Sequence, residues 1–268
     1  MLWSRAKTIL IVFLLCTNIF LLCILLTSHY KRTRVPDGII SSAVELLSKR
    51  GIEIDARLIP KTAGSAKQYT VENVIKSYEE FAKTALGEGG EPFEGGFKTD
   101  DARISFSGDI FKIEYASGVQ TSEKLRSPAE KVRVHLKGLG IDASDAEVKV
   151  SNDSAGIFTV TFTKRLAGAE LLDCRVSVCL DGERIISAEG CWFDNASAGA
   201  AYELESAPGL LVGFAASGRM NPGGRITAME FGYCVNEDGV YHMQSTVVPV
   251  YALTTDDGRS FFVDARSK

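Results

Sequence analysis

From Thr8 to Ser28 the chain runs through twenty-one residues without one charged side chain. A helix of that length rises about 30 Å at roughly 1.5 Å per residue, the hydrocarbon thickness of a bilayer. Signal-peptide cores are shorter, about 7–15 residues, and end at a small-residue cleavage site. This run ends instead in Thr27-Ser28-His29-Tyr30-Lys31-Arg32. The pattern therefore predicts a retained single-pass anchor. Cys16 and Cys23 lie inside the run, which argues against a lipoprotein signal. Its one polar flaw is Cys16-Thr17-Asn18, near the middle.

After the anchor the periodicities change. Ile40, Ala43, Val44 and Leu47 recur at helical spacing within Pro36–Arg50, and Gly51 supplies a stop. Ile52–Asp55 then alternates as a short strand. Val71, Val74, Ile75, Tyr78, Phe81, Ala82 and Ala85 fall on one helical face, predicting a helix over Val71–Leu86. Leu86–Gly96, with five Gly and three Glu, has no periodicity and reads as an unstructured connection. Strands follow at Arg103–Phe106 and Ile110–Tyr115, turned at Ser107-Gly108-Asp109.

Ser127-Pro128-Ala129-Glu130 is a capping box with proline at the first helical position, so a helix starts there and ends near Gly138-Leu139-Gly140. Strands are expected at Ala146–Val150, Ile157–Thr163, Leu171–Leu180 and Arg184–Phe193, then a helix at Pro208–Ser217. Arg225–Val235, Tyr241–Leu253 and Ser260–Asp264 complete the strands, the last two joined at Asp256-Asp257-Gly258. Helices set among antiparallel strands predict an α+β fold. The expected organisation is a tail (1–7), a transmembrane helix (8–28), a first lobe (29–125) and a second lobe (126–268). Gly140-Ile141-Asp142 echoes Gly51-Ile52-Glu53, a weak sign of duplication.

Charge narrows the function. Apart from the five Lys and Arg that flank the anchor, 25 basic side chains face 34 acidic ones, a net of −9. An acidic domain repels phosphate, which disfavours nucleic-acid binding. Arg5 and Lys7 precede the anchor, and Lys31, Arg32 and Arg34 follow it, so the positive-inside rule leaves its orientation open.

Catalytic and metal motifs are lacking. The three His are isolated at His29, His135 and His242, and no paired Cys-x-x-Cys, G-x-S-x-G or phosphate loop occurs. Asp100-Asp101 reads as a solvated loop and Asp256-Asp257 as turn chemistry. Asn152-Asp153-Ser154 and Asn195-Ala196-Ser197 fit the short glycosylation sequon. No catalytic residue, cofactor site or metal site is nominated. In a hairpin turning at Asp181-Gly182-Glu183, pairing Val178 with Ile186 and Val176 with Ala188 sets Cys174 opposite Gly190 and Cys191 on the other face. Cys174, Cys179, Cys191 and Cys234 are accordingly expected as free thiols, with a strand-bridging disulfide as the alternative.

Trp3-Ser4-Arg5-Ala6-Lys7-Thr8-Ile9, followed by Asn18-Ile19-Phe20-Leu21, resembles the start of the YycI branch of the YycH/YycI family. Leu46–Pro60, Gly168–Phe193 and Ala228–Ala265 resemble that family's helix–strand unit, paired strands and terminal hairpin. Tyr251-Ala252 departs from it, since the family carries an aromatic–basic pair after Pro-Val.

The resemblance implies a cytoplasmic N-terminus and an extracytoplasmic domain of two lobes, similar to PepSY and β-lactamase-inhibitor-like repeats. It implies a non-enzymatic regulator of the cell-wall sensor histidine kinase WalK (YycG) of Firmicutes, acting through transmembrane-helix contact alongside a YycH-like partner. Asn18, with Ile11, Leu14, Leu15, Leu22 and Leu25 on the same face, is then the expected partner-binding surface. The competing class is an anchored PepSY-like module that inhibits an extracytoplasmic hydrolase. A cell-envelope enzyme is a more distant alternative.

Overall fold

The computed structural model describes residues 2–62, 64–121, 127–154, 156–235 and 244–267, and in the first helix the side chains of Lys7 and residues 10–24. The His242 strand position and the 125/126 lobe boundary lie outside the described residues. The described elements are mixed α+β and dominated by sheet.

Helix α1 (Leu2–Thr33) runs into α2 (Asp37–Lys49) with only three residues between. Strand β1 (Glu53–Ile54), a single 3-10 turn and β2 (Ser65–Asn73) lead to α3 (Tyr78–Leu86). Four strands follow: β3 (Glu91–Phe93), β4 (Gly96–Lys98), β5 (Ala102–Ser107) and β6 (Ile110–Gln120). Helix α4 (Pro128–Gly138) precedes four more: β7 (Glu147–Asn152), β8 (Ile157–Leu166), β9 (Ala169–Asp181) and β10 (Arg184–Gly190). The chain continues through β11 (Phe193–Glu203), α5 (Ala207–Ala216), β12 (Arg225–Val235), β13 (Gln244–Thr255) and β14 (Ser260–Asp264).

A helix followed by a four-stranded antiparallel meander thus occurs twice, as α3 with β3–β6 and α4 with β7–β10. The meanders meet where β6 pairs antiparallel with β10, giving the order β3-β4-β5-β6-β10-β9-β8-β7. Both helices lie on one face. Phe81 packs on Phe111 with centroids 5.1 Å apart, and Val132 and Leu136 of α4 are fully buried in the same cluster. Along β9, Cys174, Val176, Val178 and Leu180 point into this core, while Arg175, Ser177 and Cys179 point to the opposite, open face.

A second apolar cluster joins α2 and α5 to β1 and the far ends of β12 and β13, through Ile40, Leu47, Leu211, Phe214, Ile226 and Leu253. Strands β2 and β11 run between the two clusters: Val71 and Phe193 sit in the first, whereas Leu204, just past β11, packs on the second. Beside them β12 makes a two-residue parallel contact with β9 at Gly232. A Cβ at Gly232 would lie 2.9 Å from the Glu170 carbonyl oxygen, so glycine permits that approach. Each cluster draws on residues from both sides of position 125.

Several local expectations are corrected. The helix expected over Val71–Leu86 begins only at Tyr78, and Ser65–Asn73 is a strand. Thr70 and Val71 suit an extended backbone, Asn73 Oδ1 accepts the Ile75 N–H to turn the chain, and Ser77 Oγ caps the helix at Glu80. Leu86–Gly96 includes strand β3 and the turn into β4, where a Cβ at Gly96 would sit 2.0 Å from the Ile104 carbonyl oxygen. The strand expected over Arg184–Phe193 ends at Gly190, and Phe193 opens a separate strand.

The β9–β10 register also differs from expectation. The turn holds two residues, Gly182 and Glu183, and a bulge at Ile186 shifts the pairing so that Val178 faces Ala188 and Val176 faces Gly190. Cys174 instead receives the Phe193 N–H at 3.3 Å. Cys174, Cys179, Cys191 and Cys234 are free thiols.

Candidate functional site

Three surfaces are candidates: one face of α1 and two depressions on the folded domain. On α1, Ile11, Leu14, Leu15 and Leu22 are each more than half exposed, at 65%, 53%, 60% and 55%. The side chain of Leu25 lies outside the described residues. Asn18 Nδ2 donates to the Leu14 carbonyl at 2.9 Å, and Thr17 Oγ1 donates to the Phe13 carbonyl at 2.9 Å. Such back-bonding satisfies one amide hydrogen and leaves the Asn18 carbonyl oxygen and second hydrogen without a partner among the described residues. Among the described residues no helix is long and apolar enough to cross a membrane. The described apolar run of α1 is residues 10–24, and the expected span of 8–28 extends past it on both sides.

The junction of α1 with the domain is short and well tied. Val35 is buried in the second cluster and donates its N–H to the Lys61 carbonyl at 2.8 Å. Arg34 bridges Thr62, and Lys61 pairs with Asp37 at 2.9 Å.

The first depression is a polar cleft of about 590 Å³ between the turn before α3, the loop after α4 and the start of β11. Lys164 rises beside it, donates to Asp194 at 2.8 Å, lies 3.7 Å from Asp145, and sits 5.4 Å above the Trp192 ring. The Asp194 and Asp145 carboxylates favour its charged form against the cost of burial. Asn195, at φ 53°, donates to Glu72 at 2.8 Å, and Gln244 donates to the same carboxylate at 3.3 Å. These contacts hold the Glu72 carboxyl below its ordinary range. Lys164, Asp194 and Asp145 are thus committed to one another, and Glu72 to two neutral amides.

The second depression is a groove of about 540 Å³ on the open face of β9 and β10. Arg175, Ser177, Cys179, Ser187 and Glu189 line it, with Ile110, Leu172 and Phe262 as apolar walls. Asp173 accepts from the Val235 N–H at 2.7 Å and from the Cys234 thiol at 3.2 Å. Cys191 donates its thiol to the Asp173 carbonyl at 2.6 Å, and burial pushes that thiol up to about 12. Burial raises the Cys174 thiol well above its ordinary value too. Both thiols are held protonated, which is the state of packing residues and not of nucleophiles.

His135 and Asp257 have structural surroundings. His135, on α4, holds its Nε2 3.1 Å from the Tyr115 hydroxyl of β6, and burial lowers its pKa. Asp257 accepts from Thr255 Oγ1 at 2.6 Å and from Arg259, as expected for a turn. Neither depression was anticipated. The signal available was the polar alternation of Arg175, Ser177 and Cys179 on β9 and Ser187 and Glu189 on β10.

No protein-family model and no curated protein matches the chain. Among solved structures it is similar to an uncharacterized protein from Eubacterium rectale ATCC 33656. That match has 13% identity and a TM-score of 0.45, and covers 86% of this chain and 96% of the other. It is also similar to YycH from Bacillus subtilis, with 12% identity and a TM-score of 0.46. That match covers 75% of this chain and 54% of the other, so the chain spans about half the length of YycH.

Proposed function

We propose that this protein is a non-enzymatic, membrane-anchored regulator of a WalK-like (YycG) sensor histidine kinase, acting through α1 together with a YycH-like partner. In this reading residues 8–28 cross the cell membrane, the N-terminus is cytoplasmic and the domain lies outside. The reading rests on the resemblance of the N-terminal motif and of three further stretches to the YycH/YycI family. The observation that carries it is the Asn18 amide. It stands half-satisfied on an exposed apolar helix that joins the domain through three residues.

An amide in hydrocarbon is stabilised by a partner on a neighbouring helix, so Asn18 orients one face of α1 toward other helices. Ile11, Leu14, Leu15, Leu22 and Leu25 supply packing around it. A photo-crosslinking residue placed at position 22 should capture the kinase or its YycH-like partner in cells, and one at position 20, on the far side of the helix, should not. Equal capture from both positions would remove the oriented face from the account.

A further inference from the structure

The open-face groove holds an opposed pair of charges that the fold leaves unused. Arg175 on β9 and Glu189 on β10 are both exposed, and neither side chain makes an ion pair or hydrogen bond among the described residues. Their neighbours are occupied. Lys112, which faces Glu189 across the β6–β10 pairing, is bound to Glu114 at 2.7 Å and is attracted more weakly by Glu189. Ser177 and Thr161 share a hydrogen bond at 3.0 Å, and Asp173 is held by Cys234 and Val235.

Arg175 and Glu189 lie near one another but do not pair with each other among the described residues. Glu189 lies opposite Ser177, and Cys191 donates its N–H to the Arg175 carbonyl at 3.0 Å, so Arg175 and Glu189 are diagonal neighbours on one face. Diagonal positions are about 7–8 Å apart. Gly190 faces Val176 across the hairpin, and a Cβ there would sit 2.1 Å from the Arg175 carbonyl oxygen, so glycine permits the close approach of the two strands. Ile110 and Phe262, 47% and 40% exposed, stand at the sides with Leu172. A site of this volume with apolar walls and a few convergent polar groups is of the kind that holds a small ligand.

We propose that this groove binds a short peptide with both ends free, of the dipeptide class, carrying an apolar side chain. Its carboxylate meets the Arg175 guanidinium, which can take it in a two-point fork. Its ammonium meets Glu189, and its apolar side chain rests on Ile110, Leu172 and Phe262. The diagonal separation favours termini one peptide unit apart over the adjacent groups of a single amino acid.

The test is calorimetric titration of the full chain in detergent with alanyl-phenylalanine and alanyl-leucine, beside versions blocked by N-acetyl and C-amide groups. Free dipeptides should bind saturably, and blocking either end should weaken binding about tenfold or more. Arg175→Gln and Glu189→Gln should each produce a loss of similar size. Both variants should stay within about 1 °C of the wild-type melting temperature, because neither side chain makes an ion pair or hydrogen bond among the described residues and both are exposed. Phe262→Ala should weaken alanyl-phenylalanine more than alanyl-leucine. Absence of saturable binding by both free dipeptides, equal binding of free and blocked forms, or binding untouched by both charge substitutions would overturn the proposal. None of these outcomes bears on α1, so kinase regulation stands or falls separately.

Discussion

Helix α1 and strand β9 are both rich in large apolar side chains, but they use them in opposite ways. In β9 every second residue is apolar, and Val176, Val178 and Leu180 vanish beneath α3 and α4. In α1 apolar residues surround the whole helix, and from Leu10 to Ile24 each described side chain is exposed. Alternation lets a sheet bury one face and wet the other. A helix apolar all round has no such division between a buried and a wet face. The difference separates surface spent on folding from surface left for other partners.

The comparison breaks first where burial is deepest. Trp192→Ala, at a site 1% exposed, should destabilise the domain by about 3–5 kcal/mol in denaturant unfolding. Leu15→Ala on α1 should leave that unfolding curve unchanged. A shift from Leu15→Ala comparable to that from Trp192→Ala would mean that α1 is part of the domain's core.

A smaller effect is expected from acid. Burial holds the His135 pKa below its ordinary 6.5, so the folded state binds fewer protons than the unfolded chain at mildly acidic pH. Stability should therefore be full above about 6.5 and fall as the pH drops below it. His135→Gln, which can keep a hydrogen bond to Tyr115, should flatten that slope. Thermal melts of both proteins between pH 7 and pH 5 would show it, and an unaltered slope would assign the acid sensitivity to other groups.

The smallest effect belongs to Asn18 on α1. Interhelical polar contacts average about 0.6 kcal/mol, roughly a threefold change in association. Under the proposed function, Asn18→Leu should weaken kinase regulation by about that factor and leave the domain's melting temperature unchanged. Undiminished regulation would return Asn18 to a tolerated polar residue.

Much of this was legible in the sequence because caps and turns are local. Ser127 with Glu130, Gly108 and Gly182 mark their elements with the residues that the geometry demands. Three features were obscured for physical reasons. Val71 and Val74 fit a helical face, but tertiary pairing of β2 with β11 and β13 overrode that period. Strand β11 is hard to read because Ala196–Ala201 are small and exposed on both sides, with no buried face to write an alternation. The bulge at Ile186 moves the hairpin register, and with it the neighbours of Arg175 and Glu189. The α1 face could be nominated from the family resemblance together with helical spacing around Asn18. The groove could not, because it forms only when β6, β9, β10 and β14 come together.

The most direct test of the central claim is to exchange residues 8–28 for an unrelated transmembrane helix of equal length and measure kinase output in cells. The domain's melting temperature serves as the control for folding. The account predicts that regulation is lost while the domain stays folded. Regulation preserved with the foreign helix would contradict it and place the effector surface on the domain.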